Sequence, residues 1–241
     1  MPERPRDRPR QLALELPVSP RFGREDFLVS PSNEQAYGLV ERWPDWPDTI
    51  VRLEGPPGSG KSHLAAIFAA ASHAWTVESA AVTMARVPYL VSNGALVIED
   101  ADRRPRDETA LFHLLNLARE RRTFLLLTAS GPVEGWGLAT PDLVSRLRLA
   151  PCVGLSAPDD SLLKAVLVKL FVDRQLVVDT SVVDFLALRL ERSLSVASEA
   201  VAMLDREALS RGRRITRVMA GDIVERLGAP EAQTGLGSEG V

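Results

Sequence analysis

Cysteine is almost missing from this chain of 241 residues: Cys152 is the single one, which rules out an internal disulfide and a cysteine-based metal site and suits a reducing, cytoplasmic compartment. Histidine is nearly as scarce. His63, His73 and His113 are spread over separate stretches of helical pattern, so they predict ordinary helix positions rather than a metal site. No apolar run approaches the roughly 18 residues that a membrane span requires. The opening "MPERPRDRPR" lacks the apolar core of a secretory signal, and Glu3, Asp7 and the prolines argue against a transit peptide. Positive charge is not in excess either. With 29 Lys and Arg against 32 Asp and Glu, the formal net charge is −3, so no global field draws the chain to nucleic acid and a DNA role needs a local patch.

What is present is ample core: 45% hydrophobic and 25% charged residues, over a length that suits one large domain or a large one with a small companion. Residues 1–22 set Pro2, Pro5, Pro9, Pro17 and Pro20 among arginines and read as a flexible leader. Order is expected from near Phe27. "SPSNEQAYGLVERW" predicts a helix with Ser32 or Asn33 as N-cap, ended by "PDWPD". Short apolar runs then alternate with helical stretches: "TIVRLEG", a helix over 61–73, "AWTVES", "ALVIED", a helix over 108–121, "TFLLLTAS" and "CVGLSAP". That alternation predicts an α/β domain over 23–157, a mostly parallel sheet with helices on both faces. Beyond residue 158 no strand pattern is left. Helices are expected over 160–174, 180–191, 195–210 and 220–227, with "APDDS" and "VDTS" as N-cap stretches, giving a small all-α domain over 158–228 and a disordered tail over 229–241.

The chemistry starts at "GPPGSGKS", residues 55–62, a full G-x-x-x-x-G-K-[ST] match between an apolar strand and an alanine-rich helix, the context that identifies a P-loop. Gly55, Pro56, Pro57, Gly58, Ser59 and Gly60 form a loop whose backbone N–H groups can cradle phosphate oxygens. Lys61 can reach the β- and γ-phosphates of ATP or ADP, and Ser62 can offer its hydroxyl to Mg²⁺. "ALVIEDAD" then sets Glu99 and Asp100 at the end of an apolar strand, in the form of a Walker B box. One carboxylate would help hold Mg²⁺ and the other would polarise the attacking water, and the sequence leaves open which does which. The order is unusual, because the metal-side position, normally Asp, falls on Glu99, whose extra methylene could weaken turnover. Thr128 and Ser130 end the next apolar strand, where a polar residue can sense the γ-phosphate or serve only as a loop hydroxyl. "TPDLVSRLRL" offers Arg146 and Arg148. Such arginines are either solvated surface groups or, displayed at this edge, fingers that stabilise charge on a neighbouring molecule's nucleotide.

Strand, P-loop, Walker B box, polar sensor, "SRL" and helical lid together resemble the plan of AAA+ ATPases, and the details resemble the branch of the replication initiator DnaA. "FLVSPSNEQA" is similar to that branch's segment before the nucleotide site, and "GKSHL" carries, with His63 and Leu64, the residues that follow the Walker lysine in DnaA-type P-loops. "LVSRL" resembles the box of the DnaA-type arginine finger, which by position is Arg146. A helix-turn-helix domain of the initiators has no counterpart in the sequence. The stretch between "WTVES" and "ALVIED" is short for the helix with which initiators hold single-stranded DNA. What is left resembles the Hda family of DnaA-related AAA+ regulators.

This resemblance gives "QLALEL" a reading. Gln11, Leu12, Leu14 and Leu16 are similar to the short peptide by which Hda and other replication proteins enter a pocket of the sliding clamp, the beta subunit of DNA polymerase III. Gln11 would make a polar contact at the rim while Leu14 and Leu16 fill an apolar groove. The family implies a negative regulator of replication initiation that binds nucleotide, meets DNA indirectly through the clamp, and presents Arg146 to DnaA-bound ATP, with room for a homo-oligomer. One departure stands out. "RSLSVASEA" places serine where AAA+ lids carry an arginine facing the nucleotide, which, with Glu99 and Ser130, implies weak or no intrinsic hydrolysis. Two other readings stay open: an autonomous ATPase acting as helicase or clamp loader, and an adaptor that only bridges partners.

Overall fold

A computed structural model describes residues 22–228 of the chain. Five parallel strands form one sheet in the order β2-β3-β4-β1-β5, where β1 is Ile50–Glu54, β2 Trp75–Glu78, β3 Ala95–Glu99, β4 Phe124–Ala129 and β5 Cys152–Gly154. The central strands are buried on both faces, which is why they read as unbroken apolar runs. Side chains alternate between two layers. Ile50, Leu96, Ile98, Leu125 and Leu127 face the helices α4, Glu108–Arg121, and α5, Pro141–Leu149. Val51, Leu53, Val97 and Leu126 face α1, Glu34–Glu41, and α2, Lys61–Ser72. Register brings Glu54 opposite Ala129 and Ile98 opposite Leu127, so the chain leaves β1, β3 and β4 at one edge of the sheet. There β1 lies between β4 and β5, with its own successor β2 at the far edge, and ligands of open parallel sheets bind at such a switch point.

A third core is helical. α6, Asp160–Asp173, α7, Thr180–Arg189, α8, Leu194–Arg211, and α9, Arg217–Gly228, bury Leu163, Leu167, Phe171, Val201 and Leu204 among themselves. Their ends are set by side chains: Asp159 accepts from Leu162 N–H at 2.8 Å, Asp179 from Ser181 N–H at 2.8 Å, and Ser193 from Val196 N–H at 3.3 Å. Thr216 accepts from Met219 N–H at 3.3 Å, so α9 starts at Arg217, ahead of the expected Ala220. Phe68 and Phe171 are among the largest fully buried side chains of the chain's sheet and helical cores, and replacing either by Ala would cost about 3–5 kcal/mol.

Two local expectations need amending. Asn33 does stand at the N-cap of α1, yet its side chain faces backwards, accepting from Ser30 N–H at 2.9 Å and donating to the Leu28 carbonyl at 3.0 Å. It therefore folds the preceding loop rather than capping the helix. Between β2 and β3 the sequence pattern suggested no element, and the structure places there a single turn of helix, α3, Val87–Leu90, with Val87 and Leu90 buried. Four residues are too few to show a period.

Candidate nucleotide site

The P-loop links the end of β1 to the start of α2, and its glycines are there for steric reasons. Gly58 at φ +70° and Gly60 at φ +104° occupy the left-handed region that glycine enters freely. At Gly55 a Cβ would lie 2.5 Å from the Leu155 carbonyl oxygen, so the loop and the exit of β5 approach too closely for any side chain. Pro56 is bridged by Ser59 N–H at 3.2 Å, which closes a turn with Pro57 on its exposed side. Gly60 O receives the N–H of Leu64 at 3.1 Å. The N–H groups before it, in the first turn of α2, have no intrahelical acceptor and form the positive end of the helix, suited to a phosphate.

Lys61 is buried, and its ammonium donates to the carbonyls of Gly55 at 2.7 Å and Pro56 at 2.9 Å. Burial pushes its pKa down, while the charges of Asp100, Asp102 and Glu99 pull it back up. Ser62 donates to Glu99 Oε2 at 2.5 Å, across 37 residues of chain. This pair offers hard oxygen donors beside the loop, the donor set that fits Mg²⁺, which is usually held by one or two carboxylates together with phosphate oxygens. Among the described residues no group of three or more His, Cys, Asp or Glu could hold a metal without such help.

Asp100 is differently engaged. Its backbone lies at φ +51°, its N–H donates to Thr128 Oγ1 at 2.9 Å, and Ala101 N–H donates to the Thr128 carbonyl at 2.8 Å. Thr128 is fully buried, so its hydroxyl orders the Walker B turn, whereas Ser130 is exposed at the strand end. The turn closes with Arg103 N–H on the Asp100 carbonyl at 2.8 Å, and Arg103 Nη1 lies 3.1 Å from Asp100 Oδ2. Asp102 accepts from Ser130 N–H at 2.8 Å through Oδ2, while its Oδ1 is buried with no partner among the described residues. Sequence reasoning overlooked Asp102 and Arg103. The run "EDADR" held the signal, since an acid two positions beyond the Walker pair falls inside a four-residue turn.

His63 occupies another place than the one expected among the nucleotide-binding residues. Its Nε2 meets the Gly23 carbonyl at 2.9 Å, and Phe22 and Phe27 stand edge-on to the ring with centroids 5.2 and 5.1 Å away. Burial lowers its pKa below the ordinary imidazole value. The imidazole thus anchors residues 22–27 across α2, and Lys169 of α6 holds the same segment through Asp26 at 2.6 Å.

The helical region closes on the loop from the other side. Leu194 N–H donates to the Gly58 carbonyl at 2.8 Å, and Ser193 and Ser195 share a 2.8 Å hydrogen bond. A Cβ on Gly58 would lie 2.0 Å from Ser193 Oγ. Hydroxyls rather than a guanidinium face the P-loop here. Arg192 points to the surface, where it pairs with Asp160 at 2.9 Å.

The two arginines of α5 also differ. Arg148 is paired with Glu134 at 2.9 Å. Arg146 is exposed and has no hydrogen-bond or ion-pair partner among the described residues. The charges acting most on Lys61 are Asp100, Asp102, Arg103 and Glu99, and Arg146 is not one of them. Gln11, Leu12, Leu14 and Leu16 lie outside the described residues.

No protein-family model matches this sequence, and neither does any curated protein. Solved structures do match. Domain III of the Thermotoga maritima replication initiation protein DnaA superposes with a TM-score of 0.71 at 18% identity, over 89% of this chain and 100% of that one. AMPPCP-bound DnaA from Aquifex aeolicus gives 0.63 at 17% identity, over 81% and 70%. The Thermotoga maritima RuvB Holliday junction branch migration motor gives 0.67 at 17% identity, over 86% and 72%. With its five-stranded parallel sheet, flanking helices and helical C-terminal region, the chain has a DnaA-like AAA+ fold.

Proposed function

We propose that this protein is an Hda-type negative regulator of replication initiation, which binds ADP or ATP and stimulates hydrolysis of DnaA-bound ATP through Arg146. The observation that carries the proposal is the state of α5: Arg148 is neutralised by Glu134, while Arg146 is exposed and, among the described residues, unpaired on a DnaA-like AAA+ fold. A cation that makes no contact with an acid among the described residues is available to charge on another molecule. Such a finger stabilises the spread negative charge of the transferring phosphoryl group, an effect worth about 10³–10⁵ in rate.

In the chain's own site, the loop over 55–60 and the first turn of α2 would hold the phosphates, with Lys61 leaving the two loop carbonyls to reach them. Ser62 and Glu99 would hold Mg²⁺, which would offset the negative charge of the phosphates. Asp100 would be the water-polarising acid, but its carboxylate faces Arg103, and Ser193 and Ser195 bring no positive charge from the lid. Weak intrinsic turnover follows. Nucleotide binding is supported by the P-loop geometry and by likeness to AMPPCP-bound DnaA. Gln11, Leu12, Leu14 and Leu16 would tether the protein to the sliding clamp, so that it meets DNA indirectly and acts where copying has taken place. No helix among the described residues is long and apolar enough to cross a membrane, and cytoplasmic action fits.

The test is ADP formation from ATP-loaded DnaA with DNA-loaded clamp present or withheld. Acceleration that needs the clamp and is lost in Gln11→Ala supports the proposal; acceleration indifferent to both, or none at all, contradicts it. Likeness to the RuvB motor favours a second reading, an autonomous helicase or clamp-loader ATPase. That reading requires robust turnover by the purified protein, dependent on Lys61 and Asp100.

A further inference from the structure

The formal charge of −3 hides a segregation within the helical region. Over residues 158–228 bases and acids balance, eleven of each, yet the seven residues 211–217, "RGRRITR", hold four arginines and no acid. They join α8 to α9. Gly212 ends α8 at φ +59° and Thr216 caps α9, so Arg213 and Arg214 stand exposed in the connection and Arg217 in the first turn of the next helix.

Arg189 of α7 joins them. Its guanidinium and that of Arg217 each lie 5.1 Å from the centre of the Phe185 ring, so two like charges are held within twice that distance of each other. Neither is neutralised. Among the described residues no carboxylate pairs with Arg189, Arg213, Arg214 or Arg217, whereas Lys164 is matched by Asp184 at 2.7 Å, Arg192 by Asp160 at 2.9 Å, and Arg211 and Arg226 by Glu207. The acids of this end are spent elsewhere. What solvent meets is a local patch of one sign on a chain whose overall charge is of the other, and such a patch attracts anions over a short range.

We infer that Arg189, Arg213, Arg214 and Arg217 bind the phosphate backbone of duplex DNA. Guanidiniums contributed by a helix, a connection and a second helix spread their charge over a surface, which suits repeated phosphates better than a single carboxylate. A single strand is served less well. It needs open aromatic faces on which bases stack, and the half-buried Phe185 ring already holds two guanidiniums. Phosphate contacts position a protein on DNA without reading its sequence. The proposed function brings the protein to DNA only through the clamp; this surface adds a direct contact and stands whether or not Arg146 acts in trans.

The experiment measures binding of a fluorescently labelled, random-sequence DNA duplex by anisotropy, with clamp and DnaA withheld, so that its failure leaves the α5 reading intact. Four phosphate contacts predict that wild-type affinity falls about a hundredfold between about 50 and 200 mM salt. The side chains of Arg213 and Arg214 contact nothing else among the described residues, so removing both leaves the helical core in place. In the double variant Arg213→Ala, Arg214→Ala binding should weaken, and the fall over the same salt range should shrink to about tenfold, two contacts having been lost. Arg148→Ala, which removes a charge on α5, should keep the wild-type salt dependence. Absence of wild-type binding at the lower salt overturns the inference. So does a double variant that keeps the wild-type salt dependence, or an Arg148→Ala protein that loses as much of it as the double variant. Tighter binding of a single strand of the same length overturns the duplex as the ligand. If poly-glutamate binds more tightly than the duplex and is lost in the double variant, the arginines serve an acidic protein and the inference fails.

Discussion

The P-loop and the α5 face are two charged regions of one molecule with opposite habits. Around the P-loop the charged and donor groups close on other parts of the chain: Lys61 on Gly55 and Pro56, Ser62 on Glu99, Asp100 on Arg103, Leu194 on Gly58. On α5, Arg146 closes on nothing among the described residues. The first pattern suits a site that holds a ligand and keeps it, with two helix N-termini, those of α2 and α8, converging on one loop. The second suits a group whose target comes from outside. A difference of this kind separates binding nucleotide from acting on nucleotide, and substitutions in the two regions should separate the two activities.

The largest effect belongs to Lys61. Lys61→Ala removes the buried cation that would meet the phosphates, and charge-assisted hydrogen bonds of this kind are worth about 1.5–3 kcal/mol, so ADP affinity measured by calorimetry should fall about ten- to a hundredfold. Arg146→Ala should leave that affinity unchanged; a comparable fall would erase the contrast between the regions. Gly58→Ala comes next. It forces a side chain into left-handed backbone and against Ser193 Oγ, where strain alone is on the order of 1–3 kcal/mol. Its melting temperature should drop, and Ser193→Gly in the same chain should restore part of the loss by relieving the collision but not the backbone strain.

Arg103→Ala sharpens the account of weak turnover. The pair with Asp100 is solvent-exposed on the arginine side, and exposed ion pairs are worth about 0–1 kcal/mol, so releasing the acid should raise intrinsic ATP hydrolysis by no more than about fivefold. A fall would mean that Arg103 itself serves the phosphates. The smallest effect is that of pH on residues 22–27. His63 faces the Gly23 carbonyl, Asp26 and Lys169, and burial lowers its pKa below the usual 6.5. The unfolded chain therefore takes up the proton first. Its contribution to stability is present above that value and is lost as pH falls through the lower, folded one. Hydrogen exchange over residues 22–27 should accelerate as pH drops below about 6.5 relative to the intrinsic rate, and His63→Gln should flatten the dependence.

Much of the scaffold was legible because its signals are local. Buried parallel strands read as apolar runs, the N-cap stretches holding Asp159 and Asp179 mark helix starts that the structure reproduces, and the P-loop motif spans eight consecutive residues. What stayed hidden depends on segments distant in sequence. The bond from Ser130 to Asp102 crosses 28 residues and that from His63 to Gly23 crosses 40, and neither follows from periodicity. The same holds for Gly58. Its motif explains a glycine in the loop, but the collision with Ser193 arises only once α8 is packed. Thr128 and Ser130, equivalent as strand-end hydroxyls in the sequence, separate when burial assigns one to the turn and the other to the surface.

The most direct test is single-turnover hydrolysis of DnaA-bound ATP with DNA-loaded clamp, comparing wild-type protein with Arg146→Ala at saturating concentration. The account predicts rapid ADP formation with the wild type and a loss of about 10³ with the variant, the lower end of an arginine finger's effect. Equal rates with the two proteins would contradict it.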